Sequence, residues 1–505
     1  MQKGDFVTLI GATGSGKSTF LKQLLPDLAV GQIISGKIVT ELNRDTTNFA
    51  YVSQFVDNQM IMETPRDELK FVLDNQGCSE NEIQLRITEI ASFLGIIDLL
   101  DNNVTALSGG QKQLINLASA LILKPKVLLL DEPTAQLDPI VSEKLLQIVH
   151  KVNVEFNMTV ILVEHELEQA IKFANRLLIM ESGEILLDQS VSTGLKTIFN
   201  SKKYRNYLTQ SDRLAMELNL NSEIELPLSN QNLAKLVRPN RLELQYQATE
   251  NISKHGPVIF TADKVNFRFD FNSRKVVDNV SLKLMTDQSY CVVGPNGTGK
   301  TTLLKVITQQ LAKQSGKLRF ANKKLQKDFY QQVFVLPQNP ATLFMKDTVG
   351  EELQFQLESY KSVREVTDIL TEFSLIGLEK MSPYDLSGGQ QEFLALALGF
   401  IKQPQILFLD EPTKGLDPNK RIELGQMLRK FQQNGGTVFA NSHDLLFAAD
   451  FFDQVAMMFD GKLSDFTTPT AFFSDKFFYT TEINKALRDM FPLALSWKDI
   501  KKIES

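Results

Sequence analysis

The chain has 505 residues, 43% of them hydrophobic, with 54 Lys and Arg against 60 Asp and Glu and a formal net charge of −6. That length allows several domains, each with its own core, and that charge excludes a global field for attracting nucleic acid or an anionic membrane. The two cysteines, Cys78 and Cys291, lie too far apart in sequence to form a disulfide framework and suit a reducing compartment, the cytosol.

The apolar run FVTLI is predicted as a strand, followed at once by GATGSGKST (11–19) and a helix over FLKQLL. Gly11, Gly16, Lys17 and Ser18 fit the pattern G-x-x-x-x-G-K-[ST]. Glycines at 11, 14 (Gly14) and 16 let backbone N–H groups close around a polyphosphate, with Thr19 completing the turn. Lys17 neutralises the terminal phosphates and the Ser18 hydroxyl can ligate Mg²⁺. Gln54, at the end of YVSQ, is placed to touch the metal or an attacking water. LSGGQ (107–111) is poor material for a helix interior, so Ser108, Gly110 and Gln111 are expected to open a helix with bare N–H groups facing an anion.

VLLLDEPT reads as a buried parallel strand ending in two carboxylates at its carboxyl edge, where ligands of α/β sheets collect. Asp131 would hold Mg²⁺, and Glu132 would act as general base or orient the water for in-line attack on a γ-phosphate; the bland reading is a pair of helix-capping acids. His165, after the strand TVILV, could bond the γ-phosphate and sense its loss. His150 and His255 have no such context.

The same order then returns. GPNGTGKTT (294–302) supplies Gly294, Gly297, Gly299, Lys300, Thr301 and Thr302; VLPQ ends in Gln338; the second LSGGQ brings Ser387, Gly389 and Gln390; ILFLDEPT brings Asp410 and Glu411; NSHD brings His443. Lys300 follows Lys17 by 283 residues, Asp410 follows Asp131 by 279 and His443 follows His165 by 278, which one duplication explains. Thr301, Gln338 and Asp410 are the second set of candidate metal residues, as Ser18, Gln54 and Asp131 are the first. The second copy has a lead-in of alternating apolar residues that reads as strands, and the first begins almost at its glycine loop. The expected division is 1–205 and 257–465 for the two copies, a loosely structured linker at 206–256, and an appendage at 466–505. MELNL and MFPLAL are read as short helical pieces closing each copy.

With these motifs in order, twice, the chain resembles the ATP-binding-cassette (ABC) ATPase family over about 1–190 and 257–465. The resemblance implies an α/β fold: two tandem ABC-type P-loop NTPase domains, each a mostly parallel sheet core with a helical subdomain carrying LSGGQ. It implies ATP and Mg²⁺ as cofactors, and two cassettes of one chain pairing head to tail. Ser387, Gly389 and Gln390 would then close on ATP at Lys17, and Ser108, Gly110 and Gln111 on ATP at Lys300. An aromatic residue of the early strands stacks on adenine in that family, a role Phe269 fits in the second copy, with no counterpart in the first. Leu114 and Phe393 stand where the family commonly has a basic residue.

The segments SQFVDNQMIMETPRDELKF and PQNPATLFMKDTVGEELQF resemble those of fused ATPase subunits in energy-coupling-factor (ECF-type) importers of vitamins, cofactors or metal ions. That implies an integral-membrane scaffold or permease partner, a separate solute-binding membrane subunit, and work at the cytoplasmic face of the cell membrane. No run of this chain approaches the roughly 18 uninterrupted apolar residues of a spanning helix, so the partners supply the span. Acidic residues around Asp57, Asp67 and Glu68, and around Asp347, Glu351 and Glu352, either receive arginines of the scaffold or, with Thr64 and Thr348, form helix capping boxes. The alternatives are the ATPase of a sugar importer and a soluble twin-cassette protein acting on ribosomes. Against nucleic acid as a partner, residues 206–255 hold five basic and six acidic residues.

Overall fold

The structure, a computed structural model, describes all residues except 30, 32, 55, 57, 58, 136, 221–224, 248–255, 271–272 and 504–505. Asp57 and His255 therefore lie outside the described residues. The chain divides into two units, Met1–Thr209 with Glu225–Pro227, and Gln210–Ile224 with Leu228–Ser505.

The first unit is built on a six-stranded sheet in the order Phe49–Val52, Val127–Asp131, Thr159–Val163, Phe6–Ile10, Arg176–Glu181 and Glu184–Ser190. All neighbours are parallel except the last pair. The central runs are buried at every position and mostly apolar, because both faces are covered. Val7, Leu9, Leu129 and Ile161 pack with Leu21 and Leu25 on one face. Leu128, Leu130, Val160 and Leu162 pack with Leu69, Ile115 and Leu145 on the other. A helical layer of Pro65–Asp74, Glu80–Leu94 and Gly109–Leu121 carries the first LSGGQ at the start of its last helix.

The second unit repeats this sheet with Val333–Leu336, Ile406–Asp410, Thr437–Asn441, Ser289–Val293, Gln454–Phe459 and Lys462–Leu463, and repeats the helical layer with Val349–Ser359, Val366–Glu372 and Gly388–Ile401. It adds a four-stranded antiparallel sheet, Lys323–Lys324, Ser315–Phe320, Val258–Phe267 and Val277–Met285, which takes up the alternating lead-in. The described residues of the first unit contain no such sheet.

The stretch expected to be a loose linker is folded. Helices Gln210–Glu217 and Asn230–Val237 and the strand Leu244–Tyr246 join the chain's last segment. Asn230–Val237 packs on helix Glu482–Leu487, and Leu244–Tyr246 pairs antiparallel with Ile500–Lys502. Two arginines lie on aromatic faces here, Arg213 at 4.0 Å from the Trp497 ring and Arg241 at 4.1 Å from Phe491. MELNL falls at the end of the first of these helices, while 490–495 is turn rather than helix. Asn484 organises the module from a fully buried position. Its Nδ2 donates to the carbonyls of Pro492 (2.8 Å) and Ala494 (3.2 Å), and its Oδ1 accepts from Thr480 Oγ1 at 3.0 Å.

Asn484→Ala leaves these buried groups unpaired, at a cost of about 1–3 kcal/mol for each. Hydrogen exchange is expected to accelerate in 229–246 as well as in 480–503, and acceleration confined to the C-terminal segment would show that the two are not one cooperative module.

Candidate functional site

Each parallel strand order puts a glycine loop, an Asp-Glu pair and a histidine at the carboxyl edge of one sheet. Phe6–Ile10 runs into the first glycine loop, between the strand ending in Asp131 on one side, through Thr159–Val163, and Arg176–Glu181 on the other. At Gly11 (φ +156°) and Gly294 (φ +150°) the backbone passes so close to the Met180 and Met458 carbonyls that a Cβ would collide with them. Gly16 (φ +98°) and Gly299 (φ +100°) are left-handed and begin the helices Lys17–Gln23 and Lys300–Ile307. Lys17 Nζ donates to the carbonyls of Gly11 (2.9 Å) and Ala12 (3.1 Å), and Lys300 Nζ to those of Gly294 (2.8 Å) and Pro295 (3.1 Å). Gly14, Thr19, Gly297 and Thr302 lie in or just after these loops.

Asp131 and Asp410 end their strands buried, facing the hydroxyl that follows each lysine. Ser18 Oγ donates to Asp131 Oδ1 at 2.9 Å and Thr301 Oγ1 to Asp410 Oδ1 at 3.0 Å. Burial raises both carboxyls above the ordinary range, opposed at Asp131 by hydrogen bonds from Tyr51 and Ser18, and at Asp410 by those from Asn441 and Thr301. The donors are all hard oxygens, which fits Mg²⁺. Among the described residues no group of three or more His, Cys, Asp or Glu could hold a metal, so the protein offers part of a shell, and phosphate oxygens and water would complete it.

Glu132 (φ +49°) and Glu411 (φ +57°) are left-handed at the residue after the strand, a strain of about 1–3 kcal/mol that turns each carboxylate toward the glycine loop. Their N–H groups donate to the Val163 and Asn441 carbonyls, both at 3.0 Å, which extends the ladder past the strand end. Glu132 is held on both oxygens, by Gln54 Nε2 (2.7 Å) and His165 Nε2 (2.7 Å). Glu411 is held by His443 through Nδ1 (2.7 Å) and backbone N–H (3.0 Å), with Lys300 Nζ at 3.9 Å. Burial alone would raise both carboxyls. The neighbouring histidine and lysine outweigh it, lowering Glu132 and bringing Glu411 to about 2. Burial opposes the charge of His443, yet the Glu411 carboxylate raises it above the ordinary imidazole value.

The two histidines thus rest on the glutamates of their own sites. Gln338, expected to match Gln54, is exposed, and no described hydrogen bond places it on Asp410 or Glu411. Ser108 and Gln111 form a capping box at the start of Gly109–Leu121, and Ser387 and Gln390 one at Gly388–Ile401. Gly110 and Gly389 lie in the first turns of these helices, with Gly109 and Gly388 exposed beside them. Phe269, just past strand Val258–Phe267, is 64% exposed with its ring edge-on to Phe267 at 5.1 Å. Phe393 is buried, with Lys420 Nζ 4.3 Å over its ring, and Leu114 packs against the first core.

Three residues at this edge carry no motif: Tyr51, Glu164 and Asn441. Glu164 lies buried beside His165, accepts from Thr134 Oγ1 at 2.8 Å, and is pushed up to about 8 by burial, with Glu132 and Asp131 adding to the rise. Its counterpart is Ser442. Comparing the copies position by position marks all three, since each differs between halves that otherwise match.

Glu164 binds its proton more tightly folded than unfolded, so between about pH 4.5 and pH 8 the folded chain holds a proton the unfolded chain has lost. Stability falls across that window as pH rises. Glu164→Gln cannot ionise, so its melting temperature relative to the parent is expected to rise steadily from pH 5 to pH 8.5; a gap independent of pH would contradict the assignment.

The sequence profile described as "ABC transporter" matches residues 1–135 and 277–414, more than half the chain. A Bacillus cereus protein assigned by name to the ABC transporter ATP-binding proteins is 36% identical over 99% of this chain and 93% of its own length. A Methanosarcina mazei protein named in the same way is 29% identical over 92% of this chain and 84% of its own length. Among solved structures, the chain is similar to the complex of archaeal ribosomal stalk protein aP1 and archaeal ribosome recycling factor aABCE1 (TM-score 0.59, 19% identity, 93% of this chain, 87% of that one). It is also similar to a structure titled RNase-L Inhibitor (TM-score 0.58, 18% identity, the same coverage). At those identities the likeness is one of fold. The chain belongs to the ABC transporter family of ATP-binding, ATP-hydrolysing proteins and carries two tandem cassettes.

Proposed function

We propose that this ATPase energises a membrane transporter, of the ECF uptake type, by docking both cassettes on an integral-membrane partner. No helix of the described residues is long and apolar enough to cross a membrane, so the partner supplies the span. The observation that carries the reading is a surface present in both helical layers. In the second half an open groove of about 610 Å³ is lined by Met345, Asp347, Glu351, Phe355 and Glu358. Met345 and Phe355 are exposed apolar residues among three exposed acids, with Lys346 Nζ 4.1 Å over the Phe355 ring. The first half presents Ile61, Glu63, Asp67 and Phe71 at the equivalent positions, again exposed. An acidic rim around an apolar floor suits a basic, amphipathic segment of the partner.

The structure corrects part of the expected acid set. Glu68 accepts from the N–H groups of Ile61 (2.9 Å) and Met62 (2.8 Å), and Glu352 from those of Met345 and Lys346, both at 2.7 Å. Both are buried and hold the groove's own wall. Thr64 caps its helix by accepting from the Asp67 N–H, and Thr348 with Glu351 forms a full capping box. Asp347 is exposed and free of these duties, and Glu63 is its counterpart.

Within each cassette the residues divide the work of hydrolysis. Bound Mg²⁺ would neutralise phosphate charge, with Ser18 and Asp131, or Thr301 and Asp410, holding it. The glycine loop and its lysine orient the phosphates. Glu132 and Glu411, paired with histidine and lowered in basicity, become effective bases only when that pairing loosens, so a shift of His165 or His443 toward phosphate would release the glutamate for water. The signature turn of each cassette closing on the other cassette's nucleotide would supply that signal.

Asp347→Arg and Glu63→Arg in the full chain are expected to reduce copurification of membrane proteins from solubilised cell membranes while ATP binding persists. Unchanged copurification would remove the groove, and ribosomal proteins in place of membrane proteins would redirect the function.

A further inference from the structure

One reciprocal exchange surrounds the metal-facing carboxylates. The Asp strand of each sheet lies between the strand leading to Gln54 or Gln338 and the strand leading to His165 or His443. In the first half Tyr51, on the former, donates its phenol to Asp131 Oδ2 at 2.8 Å, and the residue paired with Asp131 on the latter is Val163. In the second half the register partners are reversed in chemistry. Val335 occupies the position of Tyr51, and Asn441, paired with Asp410, donates its Nδ2 to Asp410 Oδ1 at 3.2 Å. Each carboxylate has one donor from a neighbouring strand, and the neighbour differs.

The attachments of these donors differ as well. Tyr51 is stapled to the loop carrying Gln54, since Gln59 Nε2 donates to the Tyr51 carbonyl at 3.4 Å and Gln59 Oε1 accepts from the Ser53 N–H at 2.7 Å. Asn441 ends its strand two residues before His443, and in the turn that follows Ser442 Oγ accepts from the Asp444 N–H at 3.0 Å. The hydroxyl that shares each carboxylate, Ser18 or Thr301, is the one expected to turn to a cation. Among the described residues, the strand donor is then the side-chain hydrogen bond left to fix the carboxylate's rotation.

We infer that Tyr51 and Asn441 are positioning residues for the metal-facing carboxylates, and that they tie the metal site at Lys17 to the Gln54 loop but the one at Lys300 to the His443 loop. This rests on reading Asp131 and Asp410 as Mg²⁺ residues. The nucleotide sites of the two cassettes are thereby made unequal: movement of the Gln54 loop is felt by the metal carboxylate of the first cassette, and movement of the His443 loop by that of the second.

The test uses the full chain and a fluorescent ATP analogue, measuring the Mg²⁺ concentration at which binding is half-tightened. Lys300→Ala isolates the first site and Lys17→Ala the second. Tyr51→Phe is expected to raise the midpoint about tenfold at the first site and leave the second unchanged, with metal-free binding of the analogue unaltered. Asn441→Leu should do the converse. Adding Val163→Asn to Tyr51→Phe should restore the first midpoint, which a purely structural role for Tyr51 does not predict. An unmoved midpoint, equal shifts at both sites, or loss of metal-free binding in step overturns the inference. Binding indifferent to Mg²⁺ in both backgrounds instead overturns the reading of Asp131 and Asp410, and the inference with it.

Discussion

Each half of this chain buries two adjacent carboxylates, Asp131 with Glu132 and Asp410 with Glu411, beside a buried lysine. Two like charges removed from water at such spacing are costly unless cations and donors converge on them. Here the compensation is divided. The aspartates lean on neutral donors and stay raised, while the glutamates lean on histidine and lysine and are lowered. That division separates a carboxylate held by hydroxyl and strand donors from one held in check by an imidazole. The parallel sheet makes it possible, since the strand order brings glycine loop, Asp-Glu pair and histidine to one edge from segments far apart in sequence.

Much of this edge is legible in the sequence because the chemistry demands fixed residue types at fixed local spacing. Gly11 passes against a carbonyl and Gly16 needs a left-handed φ; an apolar run ending in Asp-Glu marks a strand buried on both faces. What was not legible depends on distant packing. Residues 210–246 read as a linker because each short segment supplies a few apolar side chains, such as Leu214, Leu233 and Val237, to a core completed more than two hundred residues later by Ile483 and Leu487. No local period can show that. Glu68 and Glu352 look in sequence like the acids beside them, yet they fold under to hold backbone N–H groups. Gln54 and Gln338 are equivalent by position, but only Gln54 reaches its glutamate.

The halves diverge where motifs stop. Tyr51 and Val335, Val163 and Asn441, Glu164 and Ser442 are differences at the same edge whose motif residues are otherwise duplicated. The first cassette thus carries a phenol and a buried neutral acid, and the second an amide and a hydroxyl. A chain with two cassettes can keep the duplicated motif residues while its two Asp carboxylates take donors from different neighbouring strands.

The claim beneath all of this is that both buried glutamates serve hydrolysis, each in its own cassette. ATP turnover by the full chain with Glu132→Gln and with Glu411→Gln, made singly, tests it directly. The account predicts that either change removes at least about half of the turnover and that both together lower it about a hundredfold or more; a single variant that hydrolyses ATP as the parent does would contradict it.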